Sequence, residues 1–91
     1  MKKSVGKKVH FELAAKPGSE VFVAGSFNDW DPKRYPMTMD IPQIGLFKVD
    51  LRLPEGRHEY KFVVNGEWRT DPNCPDWVLN QHGTANSVIT V

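Results

Sequence analysis

Lys61 and Trp68 are the residues of this 91-residue chain whose types and spacing best suit ligand chemistry. They flank Asn65-Gly66, a dipeptide typical of a two-residue type I′ turn between antiparallel strands. With that turn, Val63 pairs with Trp68. Two positions further from the turn, Lys61 lies opposite Thr70 on the same face. The sequence therefore predicts a large flat aromatic ring beside a long cationic donor, a surface that suits a flat, hydroxylated ligand.

Short runs of alternating apolar and polar residues predict the strands that would position these side chains. The runs are Val9–Leu13, Glu20–Gly25, Phe47–Leu53, the hairpin around Asn65-Gly66, and Ser87–Val91. No window has helical apolar spacing, and seven prolines interrupt most places where a helix could run. This pattern predicts an all-β, antiparallel β-sandwich, with one domain over residues 9–91 and a flexible basic tail over residues 1–8.

Alternation also predicts which side chains fill the core and which face solvent. Around the hairpin, Tyr60, Phe62 and Val64 form the apolar face, whereas Lys61 and Val63 share the opposite, solvated face with Trp68. The predicted core consists of Phe11, Val23, Phe47, Val49, Leu51, Tyr60, Phe62 and Val64.

Composition and cysteine usage argue against several classes of function. The net charge of +1 and the even scatter of Lys and Arg disfavour a nucleic-acid partner, and we interpret the basic N-terminal cluster as a solvated tail. Cys74, the only cysteine, is predicted to be a free thiol. Three widely spaced histidines have no metal-ligand spacing, so no metal or other cofactor is expected.

The sequence also lacks the motifs that would indicate secretion, a membrane span or catalysis. The basic N-terminus is not followed by the apolar run of a signal peptide, and no stretch is long enough to span a bilayer, so we expect a cytoplasmic protein without a membrane partner. No phosphate loop, nucleophile elbow or zinc motif is present. Asp29 and Asp31, the closest carboxylate pair, are better explained by local turn bonding. An enzyme is therefore not expected.

Three aromatic or polar loops could place binding residues on the predicted sheet. They are Ser26–Pro32, the irregular segment Asp71–Trp77, and Gln81–Asn86. Each tryptophan also has a structural alternative: Trp30 could fold over the sandwich edge, Trp68 could be a partly buried sheet residue, and Trp77 could pack rather than bind. A tryptophan face can cover the apolar C–H face of a pyranose while Lys, Asn and Thr side chains bond its hydroxyl rim.

Four segments occur in an order and spacing that resemble a known family. They are Val23–Trp30, Leu53–Trp68, Asp71-Pro72 and Gly83–Asn86. The chain from about Val9 to Val91 closely resembles the glycogen-binding domain of the AMP-activated protein kinase β subunit. More broadly, it is similar to the carbohydrate-binding modules of family forty-eight, which also precede the catalytic domains of branching enzymes, isoamylases and pullulanases.

This resemblance implies an immunoglobulin-like sandwich of the early-set type that binds α-1,4-linked glucans such as glycogen, starch and maltooligosaccharides. By position in the family motifs, Trp30 and Trp68 would stack on glucose rings. Lys61, Thr84 and Asn86 would bond glucose hydroxyls. The domain would then tether a protein or an attached enzyme to polysaccharide. The alternative is a protein-interaction module of the same fold that docks a kinase or glycoside hydrolase.

The chain departs from the kinase pattern between Asp71 and Gly83. His82 replaces an apolar residue that inserts through the curve of the glucan, and we expect His82 to contact the carbohydrate. The segment also carries Trp77 and is longer than in the kinase domain. The resemblance therefore implies the ligand class more firmly than the affinity or the preferred glucan length.

Overall fold

The structure, a computed structural model, describes residues 6–39 and 45–91 and contains eight strands in those ranges. The strands are β1 (Lys7–Ala14), β2 (Val21–Gly25), β3 (Tyr35–Met39), β4 (Leu46–Leu53), β5 (Arg57–Val64), β6 (Glu67–Arg69), β7 (Trp77–Leu79) and β8 (Ala85–Thr90). The prediction of an all-β fold is confirmed. Within the described ranges, no helix could cross a membrane.

Two antiparallel sheets form the sandwich, and β3 belongs to both of them. The first sheet joins β1 to β4 and the second joins β2, β5, β8 and β7, with β6 added beside β5. The first part of β3 pairs with β2, and its last residues, Thr38 and Met39, pair with β4. The antiparallel β-sandwich is therefore confirmed, and its assignment to the early-set immunoglobulin-like type stays a prediction.

The core lies between the two sheets and is built by the alternation seen in the sequence. The ring of Phe11 on β1 meets that of Tyr60 on β5 edge to face, with their centroids 4.9 Å apart. Of the predicted core residues, Val49 and Leu51 are only half-buried. Among the described residues, β3 pairs with β4 only at Phe47 and Lys48, which leaves Val49 and Leu51 outside this pairing. The rest of the predicted core is buried.

The register of the β5–β6 hairpin is the predicted one for its first pairs. Asn65 and Gly66 have φ angles of 50° and 85°, as a type I′ turn requires, and Val63 pairs with Trp68. The pairing ends at Arg69, so the predicted pair between Lys61 and Thr70 does not form. The expectation that Val63 is solvated was wrong, since its exposure is 4%. Phe22 and Trp68 flank it on the same face.

One strand boundary differs from that expected, and two strands were not predicted. β1 begins at Lys7, which pairs with Leu53, so two residues of the predicted tail belong to a strand, and residues 1–5 of that tail lie outside the described part. β3 was not predicted because Pro36 interrupts its alternation. β7 was not predicted because three residues are too short for a recognisable period.

Phe62 is fully buried at the centre of the sandwich, and we expect Phe62→Ala to lower the free energy of unfolding by about 3–5 kcal/mol because it leaves a core cavity. Urea denaturation would measure this change. Phe22→Ala, on the opposite face and only half-buried, is the matched control and should cost clearly less. Equal losses for the two variants would contradict the assignment of the faces.

His10 predicts a pH dependence of stability. Its two ring nitrogens lie 2.6 Å from carboxylate oxygens of Asp50 and Glu12, which raise its pKa above the ordinary 6.5, Asp50 having the larger effect. The imidazolium form therefore favours the folded state, and this contribution is fully present below about pH 6.5 and lost as the pH rises through the raised pKa. Its size is small because the groups are exposed.

An NMR titration of the folded protein should accordingly give a His10 pKa above 6.5. The variant His10→Gln should show a smaller loss of stability than the native chain as the pH rises across that pKa. A His10 pKa at or below its ordinary value would contradict the proposed carboxylate contacts.

Candidate functional site

One open cleft, with a volume of about 480 Å³, contains every site residue predicted from the sequence. It lies on the outer face of the second sheet, and we call it the tryptophan cleft. Its lining residues are Trp30, Glu59, Lys61, Trp68, Asn80, Gln81, His82, Thr84 and Asn86. Sequence reasoning missed Glu59, Asn80 and Gln81. Trp77 does not line this cleft.

Strand alternation positions the cleft residues that lie on β5 and β6. Glu59 and Lys61 are two positions apart on β5, so they point to the same outer face, away from the core face of Tyr60. Trp68 on β6 shares this face. Asn86 was expected in a polar loop, but it is the second residue of β8 and only 6% exposed. It forms part of the cleft floor because β8 runs directly beside β5.

Trp30 is held by a tight turn that follows β2. The carbonyl oxygen of Gly25 accepts hydrogen bonds from the backbone N–H groups of Asn28 (3.1 Å) and Trp30 (2.9 Å). The buried side chain of Asn28 closes the turn, since its Oδ1 accepts the N–H of Gly25 at 3.0 Å. Asp29 and Trp30 have φ angles of 57° and 58°, a region that a bulky residue rarely adopts. The turn therefore fixes the indole at a conformational cost.

The two indoles of the cleft form an angled apolar surface. The ring centroids of Trp30 and Trp68 lie 6.4 Å apart, with their planes at 48°. Trp68 is 45% exposed and Trp30 is half-buried, so both rings are accessible to a ligand. Such a surface presents two aromatic faces at an angle, which suits a curved ligand better than a flat one.

Asn80 organises the loop between β7 and β8. Its Oδ1 accepts the backbone N–H groups of His82 (2.9 Å) and Thr84 (3.1 Å), and its own N–H donates to the carbonyl of Thr84 at 2.8 Å. Gly83 completes the turn with a φ of 81°. The signal in the sequence was an Asn three residues before a Gly, a combination typical of a side-chain-closed turn.

The hydroxyl of Thr84 is oriented by its neighbours. Its Oγ accepts from Lys61 Nζ at 3.1 Å and from Asn80 Nδ2 at 2.8 Å. A hydroxyl has two acceptor lone pairs and one donor, so both lone pairs are used here. The O–H of this exposed side chain therefore points away from the two donors and can donate to a ligand. The bond to Thr84 uses one of the three N–H donors of Lys61.

A second chain of hydrogen bonds fixes Asn86 and Glu59. Asn86 Nδ2 donates to Glu59 Oε1 at 3.0 Å, and Asn86 Oδ1 accepts from Asn80 Nδ2 at 3.2 Å. The other Glu59 oxygen accepts from Arg57 at 3.2 Å. Both amide groups of Asn86 are thus partly satisfied inside the protein. We infer that Asn86 holds the cleft floor in place as much as it presents donors to a ligand.

The cleft combines two aromatic faces with a rim of oriented polar groups. Lys61 and Thr84 supply donors, Glu59 supplies acceptors, and Gln81 and His82 border the opening. Among residues 6–39 and 45–91, no group of three or more His, Cys, Asp or Glu side chains is arranged to hold a metal ion. The arrangement can bind a ring that has an apolar face and a hydroxylated edge.

The chain matches a known protein family over nearly its whole length. The family model of the glycogen recognition site of AMP-activated protein kinase matches residues 8–91. The chain belongs to this family. It is 45% identical over 74 residues to the 5'-AMP-activated protein kinase subunit beta-1 of Homo sapiens, a match that covers 81% of this chain and 25% of the relative.

Two further relatives widen the range of proteins that carry this domain. The chain is 45% identical over 74 residues to a beta-1 subunit from Sus scrofa, covering 81% of this chain and 56% of that one. It is 40% identical over 77 residues to Protein FLOURY ENDOSPERM 6, chloroplastic, of Oryza sativa subsp. japonica, covering 85% and 14% respectively. The chain therefore spans between about a seventh and just over half of these relatives.

We expect Asn80→Ala to loosen the loop over residues 80–84, because the backbone N–H groups of His82 and Thr84 lose their shared acceptor. Amide hydrogen exchange followed by NMR would show faster exchange at both positions. Asn80→Asp is the matched control, since it keeps an acceptor oxygen but loses the donor to Thr84 and Asn86. Unchanged exchange in Asn80→Ala would contradict the role of Asn80.

Proposed function

We propose that this domain is a non-catalytic module for α-1,4-linked glucans, such as glycogen, starch and maltooligosaccharides, and that it binds them in the tryptophan cleft. One observation carries the proposal: the angled pair of Trp30 and Trp68 lies in the same cleft as the Lys61–Thr84 hydrogen bond. Membership in a family named for glycogen recognition supports the same ligand class.

Each part of the cleft has a defined task in this proposal. The faces of Trp30 and Trp68 cover the apolar C–H faces of successive glucose rings, and their angle follows the curvature that α-1,4 linkages impose. Lys61 and Thr84 donate to ring hydroxyls, and Glu59 accepts from them. His82 borders the opening at the tip of its loop, where it contacts the sugar edge. Because the cleft is open, it can bind the interior of a long chain.

Pre-organisation favours binding in such a shallow site. The turn that holds Trp30 and the loop that Asn80 closes are both fixed by internal hydrogen bonds. Ordering loops and long side chains on binding costs free energy, which a shallow site recovers poorly. A cleft that is already formed avoids most of this cost.

Tethering is the biological role that we propose, with no cofactor and no chemistry of the module's own. The relatives include kinase subunits and are longer than this chain, so a catalytic partner or attached enzyme is part of the proposal. The alternative is a module of the same fold that docks a kinase or hydrolase without binding glucan. For location we keep the cytoplasm as our prediction, although the rice relative is named as a chloroplastic protein.

Trp68→Ala should abolish or strongly weaken α-glucan binding while the fold survives. By analogy with bases stacked on aromatic side chains, one stacking platform is worth about 1–3 kcal/mol, or roughly five- to 150-fold in Kd. Lys61→Ala should have an intermediate effect, since it loses hydrogen bonds but no stacking area. Isothermal titration with β-cyclodextrin, a closed ring of α-1,4-linked glucose, would measure these changes.

Two controls make this test specific. Trp77→Ala removes an indole that is 62% exposed and lies outside the tryptophan cleft, so it should bind β-cyclodextrin like the native chain. Cellohexaose, a β-1,4-linked glucan, should bind none of the variants. Native-strength binding by a normally melting Trp68→Ala protein would overturn the site. A native chain that binds no α-glucan at all would favour the docking alternative.

A further inference from the structure

Trp77 is the most exposed tryptophan of the chain and has no task in the tryptophan cleft. It begins β7, the last strand of the second sheet, and pairs with Ser87 of β8. Ser87 in turn pairs with Tyr60 of β5, whose side chain is buried in the core. Trp77 therefore points to the same, inner side of the sheet. Although it lies on this inner face, the indole is 62% exposed.

The Trp77 ring borders a shallow pocket of about 330 Å³ that has a polar rim. Its other lining residues are Thr70, Asp71, Cys74, Ala85 and Ser87. The floor is rigid, since the N–H of Asp71 donates to Ser87 Oγ at 2.9 Å and the hydroxyl of Tyr60 donates to Asp71 Oδ2 at 2.6 Å. An exposed indole beside fixed polar groups repeats the chemistry of the tryptophan cleft on a smaller scale.

A groove connects this pocket to the tryptophan cleft. β6 and β8 lie on the same side of β5, opposite residues 62–64 and 57–60 respectively, so the two strands separate at Lys61. The groove, about 550 Å³ in volume, lies at this separation. It shares Lys61, Trp68 and Thr84 with the cleft, and it shares Thr70 and Ala85 with the Trp77 pocket.

We propose that Trp77 is a stacking platform of a second glucan subsite, reached by the same chain that occupies the tryptophan cleft. This inference rests on the proposed function. The continuity of the groove identifies the occupant, because a glucan bound against Trp68 and Thr84 has its next residues directed along lining groups shared with the Trp77 pocket. The curvature of an α-1,4-linked chain suits a path that turns from the outer face, along the groove between β6 and β8, to the Trp77 pocket.

The subsite makes binding depend on chain length. A closed ring can occupy the cleft but cannot extend along the groove, whereas a long linear chain can reach Trp77. The native domain therefore binds long linear maltooligosaccharides more tightly than the cleft alone would. The segment between Asp71 and Gly83, which carries Trp77, is the part of the chain that supplies this preference.

The test is isothermal titration of the native chain, Trp77→Ala and Trp68→Ala with β-cyclodextrin, maltotetraose and a long linear maltooligosaccharide. Trp77→Ala should weaken binding of the long chain by about fivefold or more, as expected for the loss of one stacking platform. It should leave binding of β-cyclodextrin unchanged. Trp68→Ala should weaken all three. Addition of the long chain to the native protein should also shift the Trp77 indole N–H resonance.

Leu79→Ala is the matched control, because Leu79 lies on the same strand and face, is 63% exposed and does not line the Trp77 pocket. It should bind all three ligands like the native chain. Native-strength binding of the long chain by Trp77→Ala, with β-cyclodextrin binding intact, would overturn the second subsite alone. Unweakened binding by Trp68→Ala would instead overturn the proposed function of the cleft.

Discussion

The alternation of side chains along β5 is the constraint on which both the core and the site depend. Tyr60, Phe62 and Val64 point into the sandwich, and Glu59 and Lys61 point into the tryptophan cleft. β5 is also the strand to which β2, β6 and β8 all pair. A slip of one residue would exchange the two faces and place a lysine in the core. The type I′ turn at Asn65-Gly66 fixes the register against such a slip.

The backbone of β5 therefore supports both the core and the tryptophan cleft. Burial of the inner face stabilises the fold, and this stability holds the outer face rigid enough to orient weakly binding groups. The polar network from Arg57 through Glu59 and Asn86 to Asn80 adds rigidity at the cleft floor. In such a network the position of each donor is set by its partners, so the ligand meets a fixed pattern of donors and acceptors.

Local patterns in the sequence predicted what depends on local chemistry. The alternating runs gave the strands of the core, and the Asn-Gly turn gave the pairing of Val63 with Trp68. The resemblance to a known family gave six of the nine residues that line the cleft. The features that the sequence did not predict depend on contacts between segments that are distant in the chain. Glu59 is held in the cleft by Asn86, which β8 brings beside it, and Val63 is buried between Phe22 and Trp68 on the neighbouring strands.

Strand order has a consequence for crowding on a polysaccharide particle. The path of strands ends at β1 and β7, and unpaired strand edges are templates for association between copies. β7 is three residues long, and β1 carries Lys7, Lys8, His10 and Glu12 on exposed positions. Short or charged edges resist pairing with another chain. These edges would let many copies of the domain bind one particle of the proposed glucan ligand without pairing strand to strand.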